Sequence, residues 1–350
     1  MKFSCFKLVE VFLGLIAIVT TAYAWEGDHH RATNEGFQLG QNDPMSYNRR
    51  GYDHMSKNDL EKAISDFTEA IRLNPLEAMS YNYRGHVYLK KGELETAIKD
   101  WSEAIRLGLT NADVYANRGS AYFQKGESDK AIRDYSEAIR LDSKSSVAYG
   151  NRGYVFMSLG NFDKAISDFD ETVQLKPNDP KAYGNRGSAY FYKGELDKAI
   201  RDFTEAIHLD QGHGPSYQFR ARAYIKKGEV GKAVSDLQEA VRLNPKDGEA
   251  VNSLARLRAT FYAGAFRNGK EAVDLAWKAC EIADWKKWYF IDTLAAAFAE
   301  ISDFKRAIYY EKQALTTDGT TDSERTEMKQ RLELYMRSIP YHSVRDSDWK

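Results

Sequence analysis

Between residues 44 and 247 the small and aromatic positions of the chain return every 34 residues. Tyr47, Tyr81, Tyr115, Tyr149, Tyr183 and Tyr217 hold one register, and Ala63, Ala97, Ala131, Ala165, Ala199 and Ala233 hold another. A third runs through Gly51, Gly85, Gly119, Gly153, Gly187 and Ala221, and a fourth through Phe67, Trp101, Tyr135, Phe169, Phe203 and Leu237. Within each unit these positions recur at three, four and seven rather than at two, which predicts two helices and no strand. Asn58, Gly92, Gly126, Gly160, Gly194 and Gly228 fall between the two helices, and all tolerate the left-handed conformation just past a helix end. Asn74-Pro75, Lys176-Pro177 and Asn244-Pro245 stop second helices. One such hairpin cannot bury its apolar face alone, so the units must stack.

The pattern weakens after residue 247. Val251, Leu254 and Ala255 suit a first helix, but Ala272, Ala276 and Ala279 arrive five residues late, which predicts a lengthened connection over Gly264 to Lys270. Leu294, Ala295, Phe298, Ala307 and Ala314 restore the spacing, so 248–316 is expected to hold two divergent repeats. Glu324 to Arg337 reads as a charged amphipathic helix stopped near Pro340, so 317–350 is expected to be a capping helix and tail. The segment 25–43 has no periodicity and reads as a flexible leader.

The six unbroken registers over 44–247 strongly resemble the tetratricopeptide repeat. The resemblance implies an all-α, right-handed superhelical solenoid of antiparallel helix pairs, about eight repeats in all. It also implies a concave surface lined by first helices and a convex one formed by second helices. Such arrays serve as non-enzymatic scaffolds for protein partners.

One register departs from the family, where leucine usually precedes the first-helix glycine. Here that position holds Arg50, Arg84, Arg118, Arg152, Arg186 and Arg220. Sixteen residues after each stands Asp66, Asp100, Asp134, Asp168, Asp202 or Asp236. Where the arginine is lost the acid is lost too: Leu254 is matched by Leu275 and Leu294 by Tyr310. Joint loss is what a physical contact predicts, joining either the two helices of one unit or those of adjacent units. A guanidinium suits the role because its planar fork holds a carboxylate by two hydrogen bonds. Arg118–Asp134, Arg152–Asp168 and Arg186–Asp202 are therefore read as structural ion pairs, the alternative being a row of anion sites.

With first helices lining the groove, its positions are those one or two before the arginine and two, five or six after it. An amide precedes each arginine: Asn48, Asn82, Asn117, Asn151, Asn185 and Gln218. Aromatics are interspersed, among them Tyr83, Phe123, Tyr154, Phe191 and Phe219. An amide offers both donor and acceptor to an extended peptide backbone, and aromatic faces add apolar contact at little entropy cost. The arrangement looks like the asparagine ladder in the repeat region of the O-linked N-acetylglucosamine transferase, with Asn48 and Asn82 set one position earlier. The bland alternative is that the amides are bonded within the chain. A clamp for chaperone carboxyl-terminal peptides needs lysine and asparagine four apart, whereas Asn48 and Tyr52, or Asn82 and His86, stand there.

Residues 1–24 form a different kind of segment. Lys2 and Lys7 precede an apolar run from Val11 to Val19, and Ala22-Tyr23-Ala24 offers small residues to a signal peptidase. The run is short for a membrane span, which needs roughly 20 apolar residues. Export to a periplasmic or extracellular location is thus expected, with an uncleaved membrane-anchored assembly factor as the alternative. Charge is nearly balanced, 50 basic against 51 acidic residues, which lacks the surplus a nucleic-acid binder needs. Two cysteines make no disulfide framework. Phosphate-binding glycine loops, paired-cysteine metal spacings and glycine-framed serines are missing from the sequence, so no cofactor, no metal and no enzyme activity are expected. The partner is expected to be a protein or peptide.

Overall fold

The computed structural model describes residues 43–342. The export segment 1–24 and all but the last residue of the 25–43 leader lie outside the described residues. The helices group in two compact units, one ending at Pro177 and the other beginning at Asn178.

The first unit holds four hairpins: α1 (Pro44–Ser56) with α2 (Leu60–Leu73), α3 (Ala78–Lys90) with α4 (Leu94–Arg106), α5 (Ala112–Gln124) with α6 (Ser128–Leu141), and α7 (Ser146–Ser158) with α8 (Phe162–Leu175). Each second helix packs on its own first helix and on the next one, and successive first helices also touch. The hairpins turn where the sequence places its left-handed residues: Gly126 has φ +84° with open space around it, and Asn58 adopts φ +61°. Ala63, Phe67 and Ala70 on α2 are fully buried, and so are Ala97, Trp101 and Ala104 on α4. The first-helix glycine exists for this packing. A Cβ on Gly153 would stand 2.8 Å from Cε1 of Phe169, closer than any methyl can sit without moving the ring.

The second unit holds α9 (Pro180–Lys193) with α10 (Leu196–Leu209), α11 (Gly214–Lys226) with α12 (Val230–Leu243), α13 (Gly248–Thr260) with α14 (Gly269–Ile282), α15 (Trp288–Glu300) with α16 (Phe304–Thr316), and α17 (Asp322–Met336). Pro44, Pro180 and Pro215 sit in first turns, where no intrahelical N–H bond is lost. The connection after α13 includes a 3₁₀ turn, Gly264–Phe266. Arg267 pins it, donating to the Phe261 carbonyl (2.8 Å) and to Glu300 (2.8 Å).

Helix α15 is buried on nearly every side, from Phe290 and Ile291 through Leu294 to Ala299. Helix α17 packs on α16, starts with a capping box between Thr321 and Glu324, and buries Met328 and Tyr335. Arg331 on α17 lies 2.8 Å from Asp292 of α15 and 3.5 Å from Glu311 of α16. Glu311 is fully buried, and neither of its oxygens has a hydrogen-bond partner among the described residues. Burial pushes its pKa well above the carboxylate range, and the Asp292 charge adds to this more than Arg331 opposes it.

Candidate peptide-binding groove

Each ladder arginine joins the two helices of its own hairpin. Arg118 donates from Nε to Oδ2 of Asp134 (2.8 Å) and from Nη2 to Oδ1 (2.8 Å). Arg152 does the same to Asp168 at 2.9 and 2.8 Å, and Arg186 to Asp202 at 2.8 and 2.7 Å. Arg50–Asp66, Arg84–Asp100 and Arg220–Asp236 have the same two-bond geometry. All six aspartates are buried. Burial pulls the Arg118 pKa down, but the Asp134 bonds and charge outweigh it and leave the pKa raised.

The sequence reading missed a third bond. Nη1 of Arg84 donates to Thr68 (3.0 Å), that of Arg118 to Ser102 (3.1 Å), that of Arg152 to Ser136 (2.9 Å) and that of Arg220 to Thr204 (3.0 Å). Each hydroxyl sits on the second helix of the preceding hairpin, so the arginine also ties adjacent hairpins together. The hydroxyl register Thr68, Ser102, Ser136 and Thr204 was visible in the same 34-residue period. Aromatic rings flank the guanidinium: Tyr115 and Tyr122 lie 5.6 and 5.8 Å from that of Arg118, within reach of a cation–π attraction. In Arg84, Arg118, Arg152 and Arg220 all three guanidinium nitrogens thus bond to protein atoms.

The groove residues divide into three kinds. Some are bonded inside the fold. Asn48 donates to Ser80 (2.8 Å), and Asn82 accepts from the Trp101 indole (3.1 Å). These two depart from the expected peptide-facing role, since they sit one position nearer the packed face than the later asparagines. Asn117 lies 3.2 Å from Nε2 of His86. Burial, with Lys90 adding to it, holds the His86 pKa down at about 4, so this bond joins neutral groups.

A second kind belongs to the seam between hairpins. Phe191 is 3 % exposed and Phe219 7 %, packed with Phe203, which corrects the expectation that they form groove surface. Phe123 packs with Ala131, Tyr135 and Val155. For Phe123 and Phe191 the reason is geometric: five residues after the arginine, a first-helix side chain meets the next hairpin, whereas Phe219, one before Arg220, is buried by stacking on Phe203 at 5.7 Å. Leu89, Met157 and Ile225 occupy the register of Phe123 and Phe191 and are buried as well.

The third kind is half-buried and lines the first-helix face. Asn151 on α7 is half-buried and makes no side-chain hydrogen bond within the described residues. Tyr83 sits 5.5 Å from Phe67, and Tyr154 meets Phe169 edge-on at 5.6 Å, so each ring is held in place by the core. Asn185 on α9 is half-buried. Arg222 and Lys226 on α11, two and six residues after Arg220, occupy groove positions that sequence reasoning passed over although its own register rule includes them.

Among the described residues, no group of three or more His, Cys, Asp or Glu side chains is arranged to hold a metal ion. No helix among them is long and apolar enough to cross a membrane. Asp28-His29-His30, a run of the leader that reads as solvated polar sequence rather than as a metal site, falls outside the described residues. Cys280 is buried, and burial pushes its thiol up to about 12.

Comparison with known proteins follows the repeat. Tetratricopeptide-repeat models match residues 44–76, 67–99, 112–145, 146–179, 180–213 and 214–247, and a further TPR-repeat model matches 85–126. No curated protein matches the chain. Among solved structures, the C-terminal part of a TPR repeat-containing protein from Cytophaga hutchinsonii aligns with a TM-score of 0.58 at 22% identity, over 70% of this chain and 98% of that one. A tetratricopeptide repeat protein from Parabacteroides merdae gives 0.54 at 20% identity, over 85% and 100%. PilF of Pseudomonas aeruginosa gives 0.52 at 19%, over 61% and 96%. At these identities the likeness concerns the fold, an all-helical repeat solenoid.

Proposed function

Because the chain belongs to the tetratricopeptide-repeat family, whose fold serves as a protein–protein interaction scaffold and is typically non-enzymatic, we propose that it binds an extended peptide segment of a partner protein along its first-helix face. The observation that carries this reading is the pair of half-buried groups on α7. Asn151 makes no side-chain hydrogen bond within the described residues, and Tyr154 is fixed beside it against Phe169. A preset amide and a preset ring give a peptide both hydrogen bonds and apolar contact without the cost of ordering flexible side chains. Export belongs to the same reading, supported by Lys2, Lys7, the Val11 to Val19 run and the small residues before Trp25.

The test uses peptides selected from a random display library by the full chain. Asn151→Ala together with Tyr154→Ala is expected to weaken their binding by roughly ten- to a hundred-fold, from one lost hydrogen bond plus one ring contact. Lys130→Ala and Lys164→Ala on second helices are expected to leave it unchanged. Unaltered binding by the groove variant overturns the assignment of the face. Export is tested by amino-terminal sequencing of protein from the native cell: mature chain is expected to begin at Trp25, and a start at Met1 overturns it.

A further inference from the structure

Helix α11 of the second unit differs in charge from the first helices of the first unit. At the groove positions two and six residues after the arginine, the first unit carries Tyr52, His86, Ser120 and Tyr154, then Ser56, Lys90, Gln124 and Ser158. In the second unit α11 places Arg222 and Lys226 there, one helical turn apart on the same face. Both sit over the Phe191 ring, Arg222 at 5.4 Å and Lys226 at 4.6 Å, and Arg222 also lies 5.4 Å from Phe219.

The pair is unlike the other clustered cations of the chain. Lys91, Lys125 and Lys227 each lie within salt-bridge distance of two carboxylates. Among the described residues, neither Arg222 nor Lys226 has one. Helices α9 and α11 contain no acidic residue, and Glu249, the single acid on α13, is taken up by Lys287 (2.6 Å) and Tyr289 (2.7 Å). Burial and the Arg222 charge together depress the Lys226 pKa. Two like charges are therefore held side by side over apolar rings, with no carboxylate from their own or the adjoining first helices to relieve them. An arriving carboxylate relieves both repulsion and desolvation, and a guanidinium beside an ammonium can hold its two oxygens together.

We propose that Arg222 and Lys226 form a carboxylate subsite in the groove of the second unit, which takes an aspartate or glutamate side chain of an extended peptide partner. The buried faces of Phe191 and Phe219 form its floor, and they hold the cations in place through the ring contacts. The proposal rests on the groove reading above and adds the chemistry of the partner: an acidic segment rather than a neutral or basic one. A nucleic acid is disfavoured as occupant because the chain, with 50 basic against 51 acidic residues, lacks the surplus of positive charge that phosphate binding needs.

The experiment probes the full chain with random twelve-residue peptides from a display library, then resynthesises the recovered ones with both ends blocked. Binding is read by fluorescence anisotropy against wild type and the double variant Arg222→Gln and Lys226→Gln, which keeps side-chain length over the rings. Recovered peptides are expected to be rich in aspartate and glutamate. The double variant is expected to bind them roughly ten- to a hundred-fold more weakly, as lost charge-assisted bonds imply. Replacing the peptide acid by its amide should give the same loss, and combining the two changes should add little more. Circular dichroism melts of the variant must match wild type, and Arg222→Lys with Lys226→Arg should restore most of the binding.

Acid-free peptides that bind both proteins equally overturn the subsite while leaving the groove reading intact. Peptides that bind only with a free carboxyl terminus overturn the assignment to a side chain. Recovery of no peptide at all overturns both readings together.

Discussion

Removing one partner of the arginine–aspartate ladder should destabilise the hairpin that contains it. In Asp134→Ala, Arg118 loses both its bonds to the carboxylate and retains one to Ser102, 3.1 Å away. Breaking a buried pair from one side costs roughly 3–5 kcal/mol, because the remaining charge stays desolvated. The Arg118 side chain is 17% exposed against 9% for Asp134, so the orphaned guanidinium can turn partly toward water. That places the expected loss somewhat below this range, at about 2–3 kcal/mol. In an array whose hairpins contact mainly their neighbours, the loss should be local rather than spread over the chain.

Hydrogen exchange read by mass spectrometry therefore suits the question better than one melting temperature. Protection should fall on α5 and α6 and on the neighbouring α4 and α7, and remain unchanged on α15 and α16. The double variant Arg118→Leu with Asp134→Ala should recover much of the loss, since the leucine usual at this position in the family removes the unpaired charge. Unchanged protection in Asp134→Ala refutes the reasoning. A double variant no better than the single one would refute it as well.

Further consequences can be checked separately. Glu311 has a folded pKa raised above its unfolded value, so the folded chain keeps a proton that the unfolded chain releases once pH exceeds the ordinary carboxylate range. Stability of the α16–α17 region should thus be greatest at acidic pH and fall as pH rises toward the Glu311 pKa, by at most about 1.4 kcal/mol per unit. Asp292, Arg331 and Tyr335 surround this carboxyl, and Glu311→Gln should flatten the slope in melts between pH 5 and 8, whereas an unaltered slope removes Glu311 as its source. Gly153→Ala should destabilise by roughly 1–3 kcal/mol through its clash with Phe169. Gly150→Ala, three residues earlier with its nearest neighbour at 3.8 Å, should instead stabilise by up to about 1 kcal/mol in urea titrations. Cys280 should resist thiol reagents in the native protein and react promptly once unfolded.

Period and residue type carried most of the fold. The 34-residue registers placed the hairpins, and the joint loss of arginine and aspartate announced a contact whose two-bond geometry the structure supplies. Less of the groove could be read, because a helix position is exposed or buried according to its neighbour, which one helix's periodicity does not show. Leu89, Phe123, Met157, Phe191 and Ile225 form an apolar column five residues after the arginine. Such a column is the mark of a seam between stacked hairpins, yet its aromatic members read equally well as groove surface. The Asp292–Arg331–Glu311 cluster had no periodic signal at all. Tyr310 has replaced the ladder acid, its neighbour Glu311 supplies a buried carboxyl, and Arg331 arrives from α17, outside the repeat.

The ladder and the groove are coupled through the first helix that carries both. A helix turns 100° per residue, so groove residues one before and two after the arginine keep their direction only if the helix cannot roll. Leucine in that position would pack against the second helix and leave rotation to shape complementarity. The arginine fixes it by directed bonds instead: two to the aspartate of its own hairpin and, for Arg84, Arg118, Arg152 and Arg220, a third to the hydroxyl of the hairpin before. Three bonds from one planar guanidinium, flanked by aromatic rings, define an orientation as well as a distance. Asn151 and Tyr154 are thereby held on the open face of α7 by Arg152, and Arg222 and Lys226 on that of α11 by Arg220. On this argument a ladder variant that still folds should bind peptide less selectively although the ladder side chains bond within the protein. Arg152→Leu with Asp168→Ala is the variant to measure: discrimination among the recovered peptides should narrow while the melting curve stays near wild type. Selectivity equal to wild type would show that packing alone sets the rotation of the first helix.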